Sequence, residues 1–174
     1  MELFEAIRGR RSIRSYRPDK IPEQDLRKIL EASVCAPSAG NLQSWEFVVV
    51  REHNTKAALA EAAYGQDFIL EAPIVIVVCA NMARSARRYR DRGASLYSIQ
   101  DTAAAIQNML LASYALGYGS CWIGAFDETK AVRIIHAPSE VRPIAMIPIG
   151  LPAESPNPPS RIDLQRVLHF ERFT

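Results

Sequence analysis

The stretch SLYSIQDTAAAIQNMLLASYALGYGSCWIG, residues 95–124, decides how the chain is built. Ser95 to Leu116 is the longest helical pattern in the sequence. Ile99, Ala103, Ile106, Leu110 and Tyr114 form one apolar stripe, and Ala105, Met109, Ala112 and Leu116 form a second. A surface helix needs one such stripe; a helix with two is covered on two sides. That predicts a central helix or a seam between two copies of the chain, with small alanines allowing close approach. Gly117 and Gly119 end the helix. The following GYGSCWIGAF leads into or through a strand. It is not a dinucleotide fingerprint, because Trp122 stands where GxGxxG requires its third glycine and a helix precedes it. Gly124 marks a point where backbone can approach a flat ligand closely.

Outward from this helix, two runs read as buried strands: the uncharged, β-branched PIVIVVCA (73–80), and RPIAMIPIG (142–150), uncharged after Arg142. Residues 45–50, with Phe47-Val48-Val49-Val50, make a third strand. Short helices are predicted from Glu2 to Arg8, with Leu3, Phe4 and Ile7 on one face, and from Pro22, with Leu26, Ile29, Leu30 and Val34 as the apolar face. Asn54 is placed to cap an alanine-rich helix to about Tyr64, and Asp127 to cap one from Glu128 to Ile135. Residues 83–93 carry Arg84, Arg87, Arg88, Arg90 and Arg92; they read as a solvated helix or loop, or as a cover over a site for an anionic second ligand. Residues 151–160 hold four prolines and form an extended arm, followed by Arg161 and a short helix with Leu164, Val167 and Leu168. No internal repeat or second domain is visible.

The 174 residues are 48% apolar and 23% charged, with a formal net charge of +2, an ordinary composition for one domain. That balance excludes a protein that coats nucleic acid through many phosphate contacts. No apolar window approaches a membrane span, and Met1-Glu2-Leu3-Phe4 does not open a signal peptide. Cys35, Cys79 and Cys121 form no CxxC pair; Cys35 and Cys79 read as buried thiols, which suits a reducing cytoplasm. His53, His136 and His169 are isolated surface residues without metal-ligand spacing. There is no GxSxG elbow and no phosphate loop, and no acid is set apart as a general acid. Any chemistry is therefore that of a bound cofactor.

The positive charge is local. Arg8, Arg10, Arg11, Arg14 and Arg17 fall within ten residues around Ser12. Guanidinium forks match phosphate or carboxylate, so the run reads as the mouth of a small-anion site or as a solvated basic face. Ser38, Asn41 and Gln43 lie in a loop, APSAGNLQS, where they satisfy their own backbone or a ligand.

In order along the chain, RRSIRSY (10–16), APSAGNLQSWEFVVV (36–50), QDTAAAIQNMLLASYALGYGSCWIG (100–124) and the AFD that follows resemble the FMN-dependent nitroreductase family in a short form. The resemblance runs from about Arg8 to Arg161. It implies an α+β fold, with a mixed central sheet flanked by helices, in an intertwined homodimer whose arm, residues 151–174, embraces the partner. It implies FMN at the dimer interface, NADH or NADPH as donor, and a small-molecule acceptor such as a nitroaromatic or quinone. By the same resemblance Arg10, Arg11, Ser12 and Arg161 hold the flavin phosphate and ribityl chain. Arg14 stands at the pyrimidine edge, where a cation raises the ring's potential. Pro37, Ser38, Ala39, Asn41 and Gln43 are laid against the ring by the other subunit. Gln66 bonds the pyrimidine carbonyls. Trp122, Ile123, Gly124 and Ala125 present backbone to the hydride-accepting nitrogen. Asp101 lies near the site in relatives, and also reads as an acid at a helix start. Ser44 stands where relatives often carry proline, which points to a looser turn. Specialised activities (reductive dehalogenation, enone reduction, flavin breakdown) and flavin binding without turnover are the rival readings.

Overall fold

The computed structural model describes residues 2–173. Its centre is one sheet of four strands, β1 (Trp45–Val50), β2 (Ile74–Asn81), β3 (Gly119–Ser120) and β4 (Val141–Gly150), in the order β1-β2-β4-β3. All neighbouring strands run antiparallel. The mixed character expected of the sheet is confined to its margin, where Ser12 forms a parallel bridge with Ser120. The two runs read as buried strands are the two inner strands, β2 and β4. Side chains alternate across a strand. Ile74, Ile76 and Val78 accordingly pack with Leu26, Ile29, Ile106 and Met109, while Val75, Val77 and Cys79 pack with Leu59, Ile69 and Ala131. Each fully buried side chain of this kind contributes about 1.5–3 kcal/mol relative to exposure.

The first of these faces is covered by α2 (Glu23–Val34) and α6 (Ser98–Ala115), the second by α3 (His53–Ala62), α4 (Phe68–Glu71) and α7 (Glu128–Ile134). Helix α6 is central, as its two stripes require: Ala105, Ile106 and Met109 are fully buried, and Ile99, Ala103 and Tyr114 are half-buried. Asp127 caps α7 by accepting from the Lys130 N–H at 3.0 Å.

Two local expectations, the cap of α3 and the burial of Cys35, are corrected, and two others gain detail. Helix α1 (Leu3–Gly9) buries Ala6 and leaves Leu3, Phe4 and Ile7 exposed, so its apolar face has no cover within the chain. The cap of α3 is Glu52, whose carboxylate accepts from Thr55 N–H at 2.6 Å, two residues before Asn54. Cys35 is exposed, because it is the residue that ends α2 on its outer side; Cys79 is buried. The arginine-rich segment is a defined helix, α5 (Met82–Arg92), followed by one π-helical turn, Gly93–Tyr97. Its inner face is fixed by fully buried Ser85, and Asn81 caps it by accepting from Arg84 N–H at 2.9 Å.

Candidate functional site

After α1 the basic run leaves the helix and is stitched to the sheet edge. Ile13 N–H donates to Ser120 O at 3.1 Å, Arg17 N–H to Leu151 O at 2.9 Å, and Ala153 N–H back to Ser15 O at 3.0 Å. The carboxylate of Glu154 accepts from the Arg14 backbone N–H. Gly119 permits the approach, since a methyl group there would lie 2.7 Å from Ile13 Cγ1. These bonds lay the start of the proline arm alongside the run, and its later part returns over it.

The result is a cavity of about 350 Å³ lined by Arg10, Arg11, Ser12, Arg14, Asn157 and Arg161, with prolines of the arm. Cations from both ends of the chain meet there, as the sequence implied. Among the described residues none of Arg10, Arg11, Arg14 and Arg161 has a carboxylate within ion-pair distance of its guanidinium. Burial, and then the charge of Arg161, push the Arg10 guanidinium below its ordinary value. Arg11 is partly engaged elsewhere: its Nη1 donates to Arg8 O at 2.6 Å and Arg10 O at 2.9 Å, capping the carbonyl end of α1. The neighbouring Cys121 thiol is pushed up by burial, against the pull of Arg14, Ser12 and Arg10, so it is a neutral group and not a nucleophile.

The Trp122–Ala125 strip follows Cys121 in the chain and lies outside the residues that line this cavity. Ile123 is buried and exchanges two backbone bonds with Met146, each 3.0 Å. Trp122, Gly124 and Ala125 are exposed. The Gly124 N–H has no hydrogen-bond partner among the described residues. Gln66 holds this strip from behind: its Nε2 donates to Ala63 O at 3.0 Å and Ala125 O at 3.2 Å. Both amide hydrogens are thereby engaged within the chain.

The Pro37–Gln43 loop stands apart. It contains a short turn, Ala39–Asn41, with positive φ at Gly40 (57°), Asn41 (56°) and Gln43 (51°). Asp101, buried near the start of α6, holds it with both oxygens: Oδ1 accepts from Ala39 N–H at 2.9 Å and Oδ2 from Ser44 Oγ at 2.5 Å. Ser44 is fully buried, so it tightens the turn that its replacement of proline suggested was loose. Ser38 Oγ accepts from Gln43 N–H at 3.0 Å, and Arg84 donates to Gln43 O at 2.6 Å while pairing with Glu46. Glu154 is a neighbour of the cavity that sequence reasoning did not single out, and the bond of Ser44 to Asp101, 57 residues away, leaves no local pattern to find it by.

Helix α6 separates the two regions. Asp101 grips the loop near one end, and Tyr114 packs against Gly9, next to the cationic cavity, near the other. At 1.5 Å per residue these contacts are about 20 Å apart. Among the described residues no hydrogen bond or ion pair joins the loop to the cavity.

The family model of the nitroreductase family matches residues 7–66 and 60–151. The NADH dehydrogenase of Thermus thermophilus is 38% identical over 186 residues, which cover 91% of each chain. The NAD(P)H FMN reductase of Bacillus subtilis is 27% identical over 185 residues, covering 99% of this chain and 74% of its own. Nitroreductase A from Vibrio parahaemolyticus superposes with a TM-score of 0.92 at 25% identity, over 100% of this chain and 77% of that one.

Proposed function

Because the chain belongs to the nitroreductase family, we propose that it is an FMN-dependent oxidoreductase drawing electrons from NADH or NADPH. The observation that carries this reading is the cavity where Arg10, Arg14 and Arg161 gather without a carboxylate to neutralise them. Cations held together against their repulsion call for an anion, and FMN ends in a phosphate dianion. Relatives named for FMN and NAD(P)H support the choice. When bound, FMN would accept hydride from the nicotinamide and pass it to a small-molecule acceptor such as a nitroaromatic or quinone, in ping-pong order.

The chain's own groups hold and orient. Arg10, Arg161 and Ser12 suit the phosphate and ribityl chain, with Arg11 contributing its remaining donors. Arg14 suits the pyrimidine edge. The unpartnered Gly124 N–H suits a ring nitrogen, on a strip of Trp122, Ile123 and Ala125 that Gln66 fixes. Pro37, Ser38, Ala39, Asn41 and Gln43 must come from a second copy, because α6 keeps them too far from the cavity of their own chain. A homodimer also accounts for the uncovered apolar side chains of α1 and of the arm, where Phe170 is 75% and Phe173 90% exposed. Docking of the arm on the partner belongs to the same reading. No helix among the described residues is long and apolar enough to cross a membrane, and we place the enzyme in the cytoplasm.

The absorbance spectrum of the purified protein tests the proposal. A visible flavin band that bleaches anaerobically on addition of NADH or NADPH is expected. A colourless protein that does not take up FMN, or bound FMN that neither donor bleaches, would overturn it. Sedimentation as a dimer is expected alongside; a monomer with flavin bound would remove the second-copy assignment of the loop.

A further inference from the structure

Helix α5 carries five arginines and one acid, Asp91. Arg84 is its anchor to the Pro37–Gln43 loop. Arg87, Arg88, Arg90 and Arg92 are exposed, and among the described residues none has a carboxylate within ion-pair distance. Two of them are fixed by aromatic rings instead. Arg88 lies over Tyr89 at 5.5 Å, and Arg92 over Tyr97 at 5.4 Å, donating from Nε to Tyr97 Oη at 2.9 Å. The two rings meet edge to face, 5.1 Å apart at 86°. Contact with an aromatic face orders a guanidinium without cancelling its charge. The backbone that brings the rings together is unusual: Arg90 sits at φ 49°, ψ −136°, and the π-helical turn follows. Such residues persist where surrounding packing fixes them, often at ligand clamps.

The ladder stands against the loop. A methyl group at Gly40 would lie 2.7 Å from Tyr89 Oη and 2.9 Å from Arg88 Nη1. If that loop borders the flavin ring, as the proposed function has it, Arg88 and Arg92 stand beside the space where donor and acceptor must stack. We infer that Arg88 and Arg92 form a second anion site, which receives a phosphate of the ligand stacking on the outer face of the ring. That phosphate monoester has two sources, the 2′-phosphate of NADPH or the phosphate of free FMN arriving as acceptor.

The test is the Arg88→Gln, Arg92→Gln double variant, in which glutamine keeps part of each stem against its tyrosine. Two ratios of kcat/KM are measured, NADPH over NADH and FMN over riboflavin. The flavin-loaded protein is also titrated calorimetrically with adenosine 2′,5′-bisphosphate and with 5′-AMP. Loss of two charge-assisted contacts lowers the first ratio about tenfold or more, with weaker bisphosphate binding, if the donor's phosphate is held; it lowers the second ratio about as much if the acceptor's is. Arg87→Gln removes the same charge off the ladder and is the control. Both ratios and the bisphosphate affinity within about twofold of the parent, or an equal loss in the Arg87 variant, would overturn the inference. Flavin content and bleaching by NADH, read on the same samples, report on the proposed function separately.

Discussion

The cationic cavity and the Pro37–Gln43 loop, which the proposed function assigns to one ligand, differ in where their polar groups are satisfied. In the cavity, Arg10, Ser12, Arg14 and Arg161 face one another with no carboxylate within ion-pair distance of a guanidinium among the described residues, and Arg10 is held below its ordinary value by burial and by Arg161. In the loop several backbone groups are satisfied internally, by Asp101, Ser44, Ser38 and Arg84. Charge dominates the first region; internal bonding sets the geometry of the second.

That contrast is most directly broken by removing the cations. Arg10→Ala together with Arg161→Ala should weaken FMN binding by about a hundredfold or more, since each charge-assisted bond is worth about 1.5–3 kcal/mol. Fluorescence titration reads this. Thermal melting of the flavin-free variant should show no loss of stability, because two mutually repelling charges have been removed; a marked drop would mean the arginines also hold the fold. The loop should behave in the opposite way. Asp101→Ala strands the Ala39 N–H and the Ser44 hydroxyl and should cost about 2–4 kcal/mol, roughly 5–12 °C in Tm, with or without flavin. An unchanged Tm would show that the tether is not structural. Ser44→Ala removes one of those bonds and should cost about 1.5–3 kcal/mol by denaturant unfolding, with Asp101→Ala adding less than its full effect on top. Gly40→Ala is the mildest, about 1–2 kcal/mol from its positive φ and the crowding by Tyr89 and Arg88. A neutral result there would mean that α5 yields easily to the loop.

What the sequence disclosed follows the range of the physics. The inner strands were legible because a strand buried on both faces must be largely apolar, as Ile74–Asn81 is up to Ala80. The arginine cluster was legible because its members are neighbours in sequence, and Arg161 only because the family resemblance named it. The polar ties were not. Asp101 with Ser44, Gln66 with Ala125, and Arg84 with Gln43 span 57, 59 and 41 residues, and no period or spacing encodes such pairs. Gln66 is one case: the resemblance placed it at the ligand, and no pattern in the sequence announced that its amide also donates to Ala125 O. Segment 83–93 was read as a solvated helix or loop, or as a cover over a site; it is a helix with exposed arginines, and the burial of Ser85 on its inner face had no signal in so charged a run. Cys35 was misjudged because it stands at the end of α2, between exposed Val34 and buried Ala36, where an apolar context does not decide burial.

Helix α6 acts as a gauge block between the cationic cavity and the loop. Each residue added to it would lengthen the spacer by about 1.5 Å and swing one end by about 100° about the axis relative to the other. One extra residue would therefore aim Asp101 away from Ala39 while Tyr114 stayed on Gly9, whereas an added full turn would restore the aim and only stretch the span. Length changes in this part of the chain come quantised in turns, and an insertion of about half a turn, two residues, is the most damaging size.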